Sequence, residues 1–179
     1  TKELLCNQYS YFCYMENANP QIITDEGQLS FERFRDEVLN DFRIACTSRE
    51  TSLLGRKEVL GGKAKFGIFG DGKEVAQIAM AKFFQPGDFR SGYYRDQTFM
   101  FAAGLTTAQQ IFAQLYADPD INNDPFSAGR QMNCHFATKN VDENGDWIDL
   151  AHIKKISSDI APTAGERPRA VGWAYASKA

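Results

Sequence analysis

The triplet Gly70-Asp71-Gly72 is the first feature of the sequence that could do chemistry. A Gly-Asp-Gly followed by a helix often holds a magnesium ion and a diphosphate, with the aspartate as one hard oxygen ligand. Such a site needs a further side-chain oxygen, typically from an Asn roughly two dozen residues onward, and residues 41–121 contain no Asn. The triplet also leads directly into an amphipathic helix. We therefore interpret it as a turn that places Asp71 near the positive end of a helix dipole.

Tyr94 and Arg95 form a second candidate, this time for phosphate binding. A planar guanidinium can make two charge-assisted hydrogen bonds to phosphate oxygens, and a phenol can add one more. The alternative is that Arg95 is a surface cation at the end of a strand and is paired with Asp96. The residues alone leave both interpretations open.

Three further side chains have reactive chemistry. His135 could bond a carboxylate or a carbonyl near neutral pH, or it could be a hydrogen-bonded loop histidine. Cys134, its neighbour, would need an orienting Asn or Asp to act as a nucleophile, and none can be argued from the sequence. Glu74 is interpreted as a favourable charge at a helix N-terminus rather than as a catalyst.

Composition excludes several classes of function. The net charge is -3 and no basic run occurs, so nucleic acid is not an expected partner. The four cysteines contain no C-x-x-C pair, and neither histidine has a Cys or another His three or four residues away, so no structural zinc is expected. No apolar stretch approaches the ~18 residues of a membrane span. We expect a cytoplasmic protein with reduced thiols and no membrane partner.

Apolar periodicity predicts three helices. The first covers Leu29 to Cys46 with Ser30 as its N-cap, the second covers Lys73 to Phe84, and the third starts at Thr106 with a capping box to Gln109. Their predicted apolar faces are Phe31, Phe34, Val38, Phe42 and Ala45 on the first, Val75, Ile78, Ala79 and Phe83 on the second, and Ala108, Ile111, Phe112, Leu115 and Tyr116 on the third.

A short strand is predicted from Phe89 to Tyr94, after the helix breaker at residues 85–88. Residues 117–128 and 139–149 are polar loops, the second with a hairpin around Asn144-Gly145. The Ala-rich apolar run at residues 170–179 has no helix stop signal. It leads us to expect that the chain is one piece of a longer polypeptide, with an exposed apolar face where further structure docks.

Five motifs occur in the order and spacing of one family. They are Lys65-Phe66-Gly67-Ile68 with Gly72-Lys73-Glu74, Gln85-Pro86-Gly87-Asp88, Tyr94-Arg95-Asp96, Gly129-Arg130-Gln131-Met132 followed by His135, and Pro162 to Tyr175. With them, most of residues 50–179 resembles the first part of the alpha subunit of thiamine-diphosphate-dependent 2-oxo acid dehydrogenase E1 components. The 2-oxoisovalerate (branched-chain) type, including forms with alpha and beta fused, is the most similar.

This resemblance implies an α/β fold class. The expected fold is an incomplete thiamine-diphosphate-binding fold, mostly helical, with the first few parallel strands. Residues 1–48 would be an N-terminal helical extension, and residues 49–179 would be the first part of the cofactor-binding domain. The family's own Gly-Asp-Gly would follow Ala179, so the Mg²⁺ ligands would lie beyond the chain and no metal ligand is expected within it.

The resemblance also assigns site residues. Tyr94 and Arg95 match the family pair that binds the diphosphate. Pro162 and Thr163 match a turn whose main chain meets the aminopyrimidine ring, so the Thr163 side chain is not expected to matter. His135 falls in a substrate-side loop that approaches the active-site channel, and it is the predicted catalytic residue. The family's hydroxyls around a potassium ion correspond to Ala161 and residues 165–166, which makes such an ion doubtful here.

The implied function is that of an E1 oxidoreductase. The whole enzyme would decarboxylate a branched-chain 2-oxo acid oxidatively and pass the acyl group to a lipoyl-bearing E2. Its partners would be an E1 beta subunit or beta part, the E2 component and further copies in an oligomer. Alone, the chain is expected to be inactive and to bind thiamine diphosphate weakly. A pyruvate or acetoin dehydrogenase E1 alpha and a non-catalytic helical interaction module remain the alternatives.

Overall fold

The structure, a computed structural model, describes residues 30–178, so the predicted extension over residues 1–48 is seen only from Ser30 onward. The chain divides into two compact units, Thr1–Phe42 and Arg43–Ala179. Of the first unit, the structure describes only the start of helix α1 (Phe31–Leu60). The predicted N-cap of this helix is confirmed, because the Ser30 hydroxyl accepts a hydrogen bond from the Arg33 amide at 3.3 Å.

Helix α1 continues well past its predicted end at Cys46. Its buried residues are small and mostly polar: Ser48, Thr51, Ser52 and Gly55. The predicted apolar stripe is instead largely exposed, with Phe31 77% and Phe42 66% accessible. An apolar pattern could not locate the second half of this helix, because its buried face carries hydroxyls and a glycine rather than large apolar side chains.

Helices α2 (Glu74–Ala81) and α3 (Gln97–Ala102) pack against each other in the second unit. The prediction for the inward face of α2 was wrong at three positions, since Val75, Ala79 and Phe83 point outward. Two polar side chains, Glu74 and Gln77, take the inward places because both are hydrogen-bonded there, Glu74 to Arg49 and Gln77 to the Phe99 amide. The core holds Ala81, Phe84, Phe99, Met100, Ala103, Ile111, Cys134, Phe136 and Ile156.

A two-stranded parallel sheet joins distant parts of the sequence. Strands β1 (Phe89–Arg90) and β2 (Lys155–Ile156) pair with Phe89 opposite Lys155 and Arg90 opposite Ile156. Parallel pairing in a mostly helical unit agrees with part of an α/β fold. The predicted strand to Tyr94 was too long, because the chain turns after Ser91: the Asp96 amide donates to the Tyr93 carbonyl at 3.0 Å.

The remaining elements are α4 (Ala108–Leu115) and α5 (Glu166–Lys178). The capping box of α4 exists one residue later than predicted, between Thr107 and Gln110. The hairpin around Asn144-Gly145 is confirmed by an antiparallel bridge between Val141 and Trp147. Helix α3 was not predicted, since six residues are too few to show a clear periodicity.

Candidate functional site

The predicted diphosphate pair lies on the turn between β1 and α3. Arg95 is exposed, and its guanidinium carbon lies 5.4 Å from the ring centroids of both Tyr93 and Tyr94. In the described part of the chain, no carboxylate forms an ion pair with Arg95. The alternative in which Asp96 pairs with Arg95 is therefore not what the structure shows. A stacked guanidinium without an acidic partner remains able to bind an anion.

Asp96 pairs with Arg90 of β1 instead. The buried Arg90 guanidinium donates to the Asp96 carboxylate at 2.9 Å and to the Asp159 carboxylate at 3.2 Å. Its carbon also lies within 6 Å of two aromatic rings, 5.8 Å from Phe99 and 5.9 Å from Phe136. Charge pairing and ring contacts together fix the base of the turn from which Tyr94 and Arg95 project.

Asp159 is the most deeply buried member of this network. Its side chain is completely inaccessible, and its carboxylate also accepts the Phe136 amide at 3.2 Å. Burial raises the pKa of this carboxyl above its usual range, and the Arg90 charge only partly opposes that effect. The network thus connects β1 to the segment that carries His135.

The triplet at residues 70–72 packs against the backbone of Arg95. The structure confirms a turn here, with the Asp71 carboxylate paired to Arg56. A Cβ on Gly70 would lie 2.3 Å from the Arg95 carbonyl oxygen, so only glycine permits this approach. The same carbonyl accepts a hydrogen bond from the side-chain Nε2 of Gln77 at 2.9 Å. The contacts of Gly70 and Gln77 with the Arg95 carbonyl were not predicted, although the sequence analysis did single out the Gly-Asp-Gly triplet.

His135 lies beside Tyr94. The two rings are nearly parallel, at 18°, with centroids 6.3 Å apart. The imidazole is buried, and its Nδ1 lies 3.2 Å from the Asn133 carbonyl oxygen. Among the described residues, its Nε2 has no hydrogen-bond partner. His135 also lines a cavity of about 300 Å³ together with Arg130 and Ser158.

The turn at Pro162 and Thr163 reaches the same place from another part of the sequence. Both residues are exposed, and the Thr163 hydroxyl lies 3.2 Å from the Tyr93 hydroxyl. The Ser91 hydroxyl donates to the Glu166 carbonyl at 2.9 Å, which ties this turn to the residue after β1. Tyr94, Arg95, His135 and Thr163 are therefore connected through the rings and hydroxyls of Tyr93 and Tyr94, and Pro162 directly precedes Thr163 in its turn.

Tyr93 connects these residues, and the sequence analysis did not assign it a role. Its hydroxyl donates to the Tyr94 hydroxyl at 2.6 Å, and the two rings lie 3.8 Å apart. The bond with the Thr163 hydroxyl is the largest cause that lowers the pKa of Tyr93, whereas the bond with Tyr93 raises the pKa of Tyr94. The only signal in the sequence was its position next to the pair.

The other reactive side chains have structural surroundings. Glu74 is bonded by the Arg49 guanidinium at 2.6 and 2.9 Å, and chiefly through this bond its pKa falls to about 2. Burial raises the pKa of the fully buried Cys134 thiol to about 12, so the thiolate that a nucleophile needs is suppressed. Within residues 30–178, no group of three or more His, Cys, Asp or Glu side chains is arranged to hold a metal ion.

The chain matches the protein family described as dehydrogenase E1 component over residues 47–178. It belongs to that family. The match contains α2 to α5, both strands and every residue of the site described above. A comparison with curated proteins finds no match to the chain. In residues 30–178, no helix combines the length and apolar character that are needed to cross a membrane.

Members of this family depend on thiamine diphosphate. The residues of the turn fit such a group, because Arg95 is exposed, lies beside the Tyr94 phenol and has no acidic partner in the part of the chain that the structure describes. A doubly phosphorylated ligand would supply the anionic oxygens that Arg95 lacks. The fit concerns the diphosphate end of the cofactor, because that is the end for which these side chains have the right chemistry.

Proposed function

We propose that the protein is the alpha part of a branched-chain (2-oxoisovalerate) E1 component and that its Tyr94-Arg95 turn binds the diphosphate of thiamine diphosphate. The family membership supports a 2-oxo acid dehydrogenase E1 component in general. The observation that carries the proposal further is the exposed guanidinium of Arg95, which has no carboxylate partner among the residues that the structure describes. Bound cofactor would supply the electron sink for decarboxylation of the 2-oxo acid.

In this proposal each residue has a separate task. Arg95 donates two hydrogen bonds to phosphate oxygens and Tyr94 donates a third. Thr163 faces the aminopyrimidine ring through its main chain, in the turn that Pro162 begins. His135 acts on the substrate side, where its Nε2 is free of protein partners among the described residues. With Nδ1 donating to the Asn133 carbonyl, Nε2 of the neutral ring is an acceptor, so it would bond a hydroxyl or amino group in the bound complex rather than the keto or carboxylate oxygens of the 2-oxo acid.

The rest of the active site would come from outside this chain. The proposed partners are an E1 beta subunit or a beta part of the same polypeptide, a lipoyl-bearing E2 and further copies in an oligomer. Mg²⁺ would accompany the diphosphate, bound by ligands outside residues 30–178. We place the enzyme in the cytoplasm, where thiols stay reduced. Pyruvate and acetoin are the other 2-oxo substrates to compare, and rates on the three substrates with both parts present would decide between them.

A titration tests the role of Arg95. Thiamine diphosphate with Mg²⁺ is added to the wild-type chain and to Arg95→Met, and binding is followed by the change in tyrosine fluorescence. We expect weak binding by the wild type, with a Kd on the order of millimolar, and at least about tenfold weaker binding by the variant.

Arg43→Met is the matched control, because Arg43 is an exposed arginine on α1. Its Kd should equal that of the wild type. Equal binding by Arg95→Met and the wild type would contradict the proposal. So would a competition experiment in which thiamine without phosphates displaces the cofactor as well as inorganic pyrophosphate does.

A further inference from the structure

The hydroxyl groups of Thr163, Tyr93 and Tyr94 form a row of hydrogen bonds, the hydroxyl chain, and the direction of donation along it follows from counting the protons of Tyr93. The Tyr93 hydroxyl has one proton, which it donates to the Tyr94 oxygen at 2.6 Å. Its contact with the Thr163 hydroxyl at 3.2 Å must then run the other way, with Thr163 as the donor. Among residues 30–178, no hydrogen bond uses the proton of Tyr94, so it is available to an acceptor on a bound ligand.

From this direction we propose that Tyr93 is a positioning residue, which holds the Tyr94 hydroxyl so that its proton points to an anionic ligand. The inference rests on the proposed function, since the ligand is the diphosphate of that site. Donation from Thr163 directs the Tyr93 proton towards Tyr94, and because the Tyr94 oxygen accepts that proton, its own O–H bond must point away from Tyr93. Loss of either earlier member should therefore weaken the bond that Tyr94 makes.

The surroundings of Tyr93 suit a fixed role. Its amide donates to the Asp96 carboxylate at 2.9 Å, and that carboxylate is itself held by Arg90. Its ring lies against the Tyr94 ring with centroids 3.8 Å apart, and the Arg95 guanidinium lies 5.4 Å from its centroid. Backbone, ring and hydroxyl are thus each anchored by a different neighbour.

This inference gives the Thr163 side chain a task. The family resemblance predicted that Thr163 acts through its main chain, so that a change of its side chain would matter little. The hydroxyl instead begins the chain that ends at Tyr94. Thr163 and Tyr93 are seventy positions apart in sequence, so the hydroxyl chain also connects the two turns on which the predicted cofactor residues lie.

The test uses inorganic pyrophosphate as the probe and compares Tyr93→Phe, Thr163→Val and the double variant. We expect each single variant to bind pyrophosphate several-fold to about tenfold more weakly than the wild type, which corresponds to one lost hydrogen bond. The double variant should bind no more weakly than Tyr93→Phe, because both changes break the same chain. Tyr116→Phe is the control, since the Tyr116 hydroxyl bonds Glu58.

A pH titration of tyrosinate absorbance gives a readout without ligand. Thr163→Val should raise the pKa of Tyr93, because the Thr163 hydroxyl is the main cause that lowers it. Tyr93→Phe should remove that titration. An unchanged titration in Thr163→Val overturns the hydroxyl chain.

The two proposals fail in different ways. A wild-type chain that binds no pyrophosphate contradicts the proposed function, whatever the tyrosine titration shows. A wild-type chain that binds pyrophosphate, with Tyr93→Phe binding it equally well, overturns the positioning role alone. Additive losses in the double variant would also overturn it, because they would mean that Thr163 and Tyr93 act independently.

Discussion

Arg90 and Arg95 lie on the same short segment and have opposite environments. Arg90 is 8% accessible and bonds two carboxylates, whereas Arg95 is exposed, stacks on two tyrosine rings and has no acidic partner among the described residues. Asp96 follows Arg95 directly in the sequence, yet its carboxylate forms an ion pair with Arg90. Because Asp96 pairs with Arg90, Arg95 remains able to bind an anionic ligand. The sequence alone does not show this pairing, since Asp96 is adjacent to Arg95.

Burial explains why the acid turns toward Arg90. A buried guanidinium without partners is expensive, so the fold supplies Arg90 with Asp96 and Asp159. An exposed guanidinium remains hydrated and gains little from a surface ion pair. The comparison therefore separates an arginine that holds the turn together from one that the turn presents to solvent, and four substitutions test this separation.

Arg90→Met should have the largest effect on stability. It leaves two acidic side chains facing each other around an apolar group, and breaking a buried ion pair in this way typically lowers the free energy of unfolding by about 3–5 kcal/mol. Urea unfolding followed by circular dichroism measures it. Adding Asp159→Asn should restore part of the loss, because it removes one of the two uncompensated charges. A loss no larger than that of an exposed arginine would show that the network does not hold the turn.

Gly92→Ala should have the second largest effect. A Cβ at this position would lie 1.9 Å from the Arg90 guanidinium, so the buried arginine must move. Overpacking of this kind lowers the free energy of unfolding by about 1–3 kcal/mol. Gly172→Ala is the matched control, since a Cβ there has nothing within 4 Å, and in a helix it should stabilise by about 0.5–1 kcal/mol. Two alanines with the same effect would contradict the tight packing at Arg90.

Arg49 is an intermediate case, since it is 47% accessible but pairs with the buried Glu74. The bond lowers the pKa of Glu74 from 4.5 to about 2, so the folded chain holds the ionised form more strongly than the unfolded chain does. This contribution to stability is present above about pH 4.5 and is lost as the pH falls towards 2. Glu74→Gln should therefore lose less stability than the wild type between those pH values. Because solvent screens Arg49, this difference in the free energy of unfolding should be smaller than the effect of Gly92→Ala.

Urea midpoints measured at several pH values check this prediction. Glu143→Gln, a change to an exposed carboxylate in the 139–149 loop, is the control and should leave the pH profile as it is. If Glu74→Gln and the wild type lose stability in parallel on acidification, the Arg49 pair does not contribute as inferred.

The sequence predicted the elements whose signals are local. The Ser30 cap and the hairpin at Asn144-Gly145 follow from residue types within a few positions, and the structure confirms both. The second half of α1 was missed because its buried residues are small and polar, and the predicted strand was too long because Asp96 bends the chain. These features depend on partners elsewhere in the fold, which no local pattern contains.

The site shows the same division. Tyr94 and Arg95 could be selected because they match the family pair and their chemistry suits phosphate, although the residues alone left an ion pair with Asp96 open. Tyr93 could not, because its role depends on a hydroxyl seventy positions away. The contacts of Gln77 and Gly70 with the Arg95 carbonyl could not be predicted either, because the helix and the turn that carry them approach this carbonyl only in the folded chain.

Arg95→Met should have the smallest effect on stability of the four substitutions. An exposed side chain without an ion pair changes the free energy of unfolding by at most about 0.5 kcal/mol, and the methionine can keep part of the contact with the two tyrosine rings. The same substitution should weaken binding of pyrophosphate, which Arg90→Met cannot test because it unfolds the turn. Urea unfolding and pyrophosphate titration on one preparation give both numbers. A large loss of stability in Arg95→Met would mean that this arginine, like Arg90, serves the fold, and the distinction between the two would then be wrong.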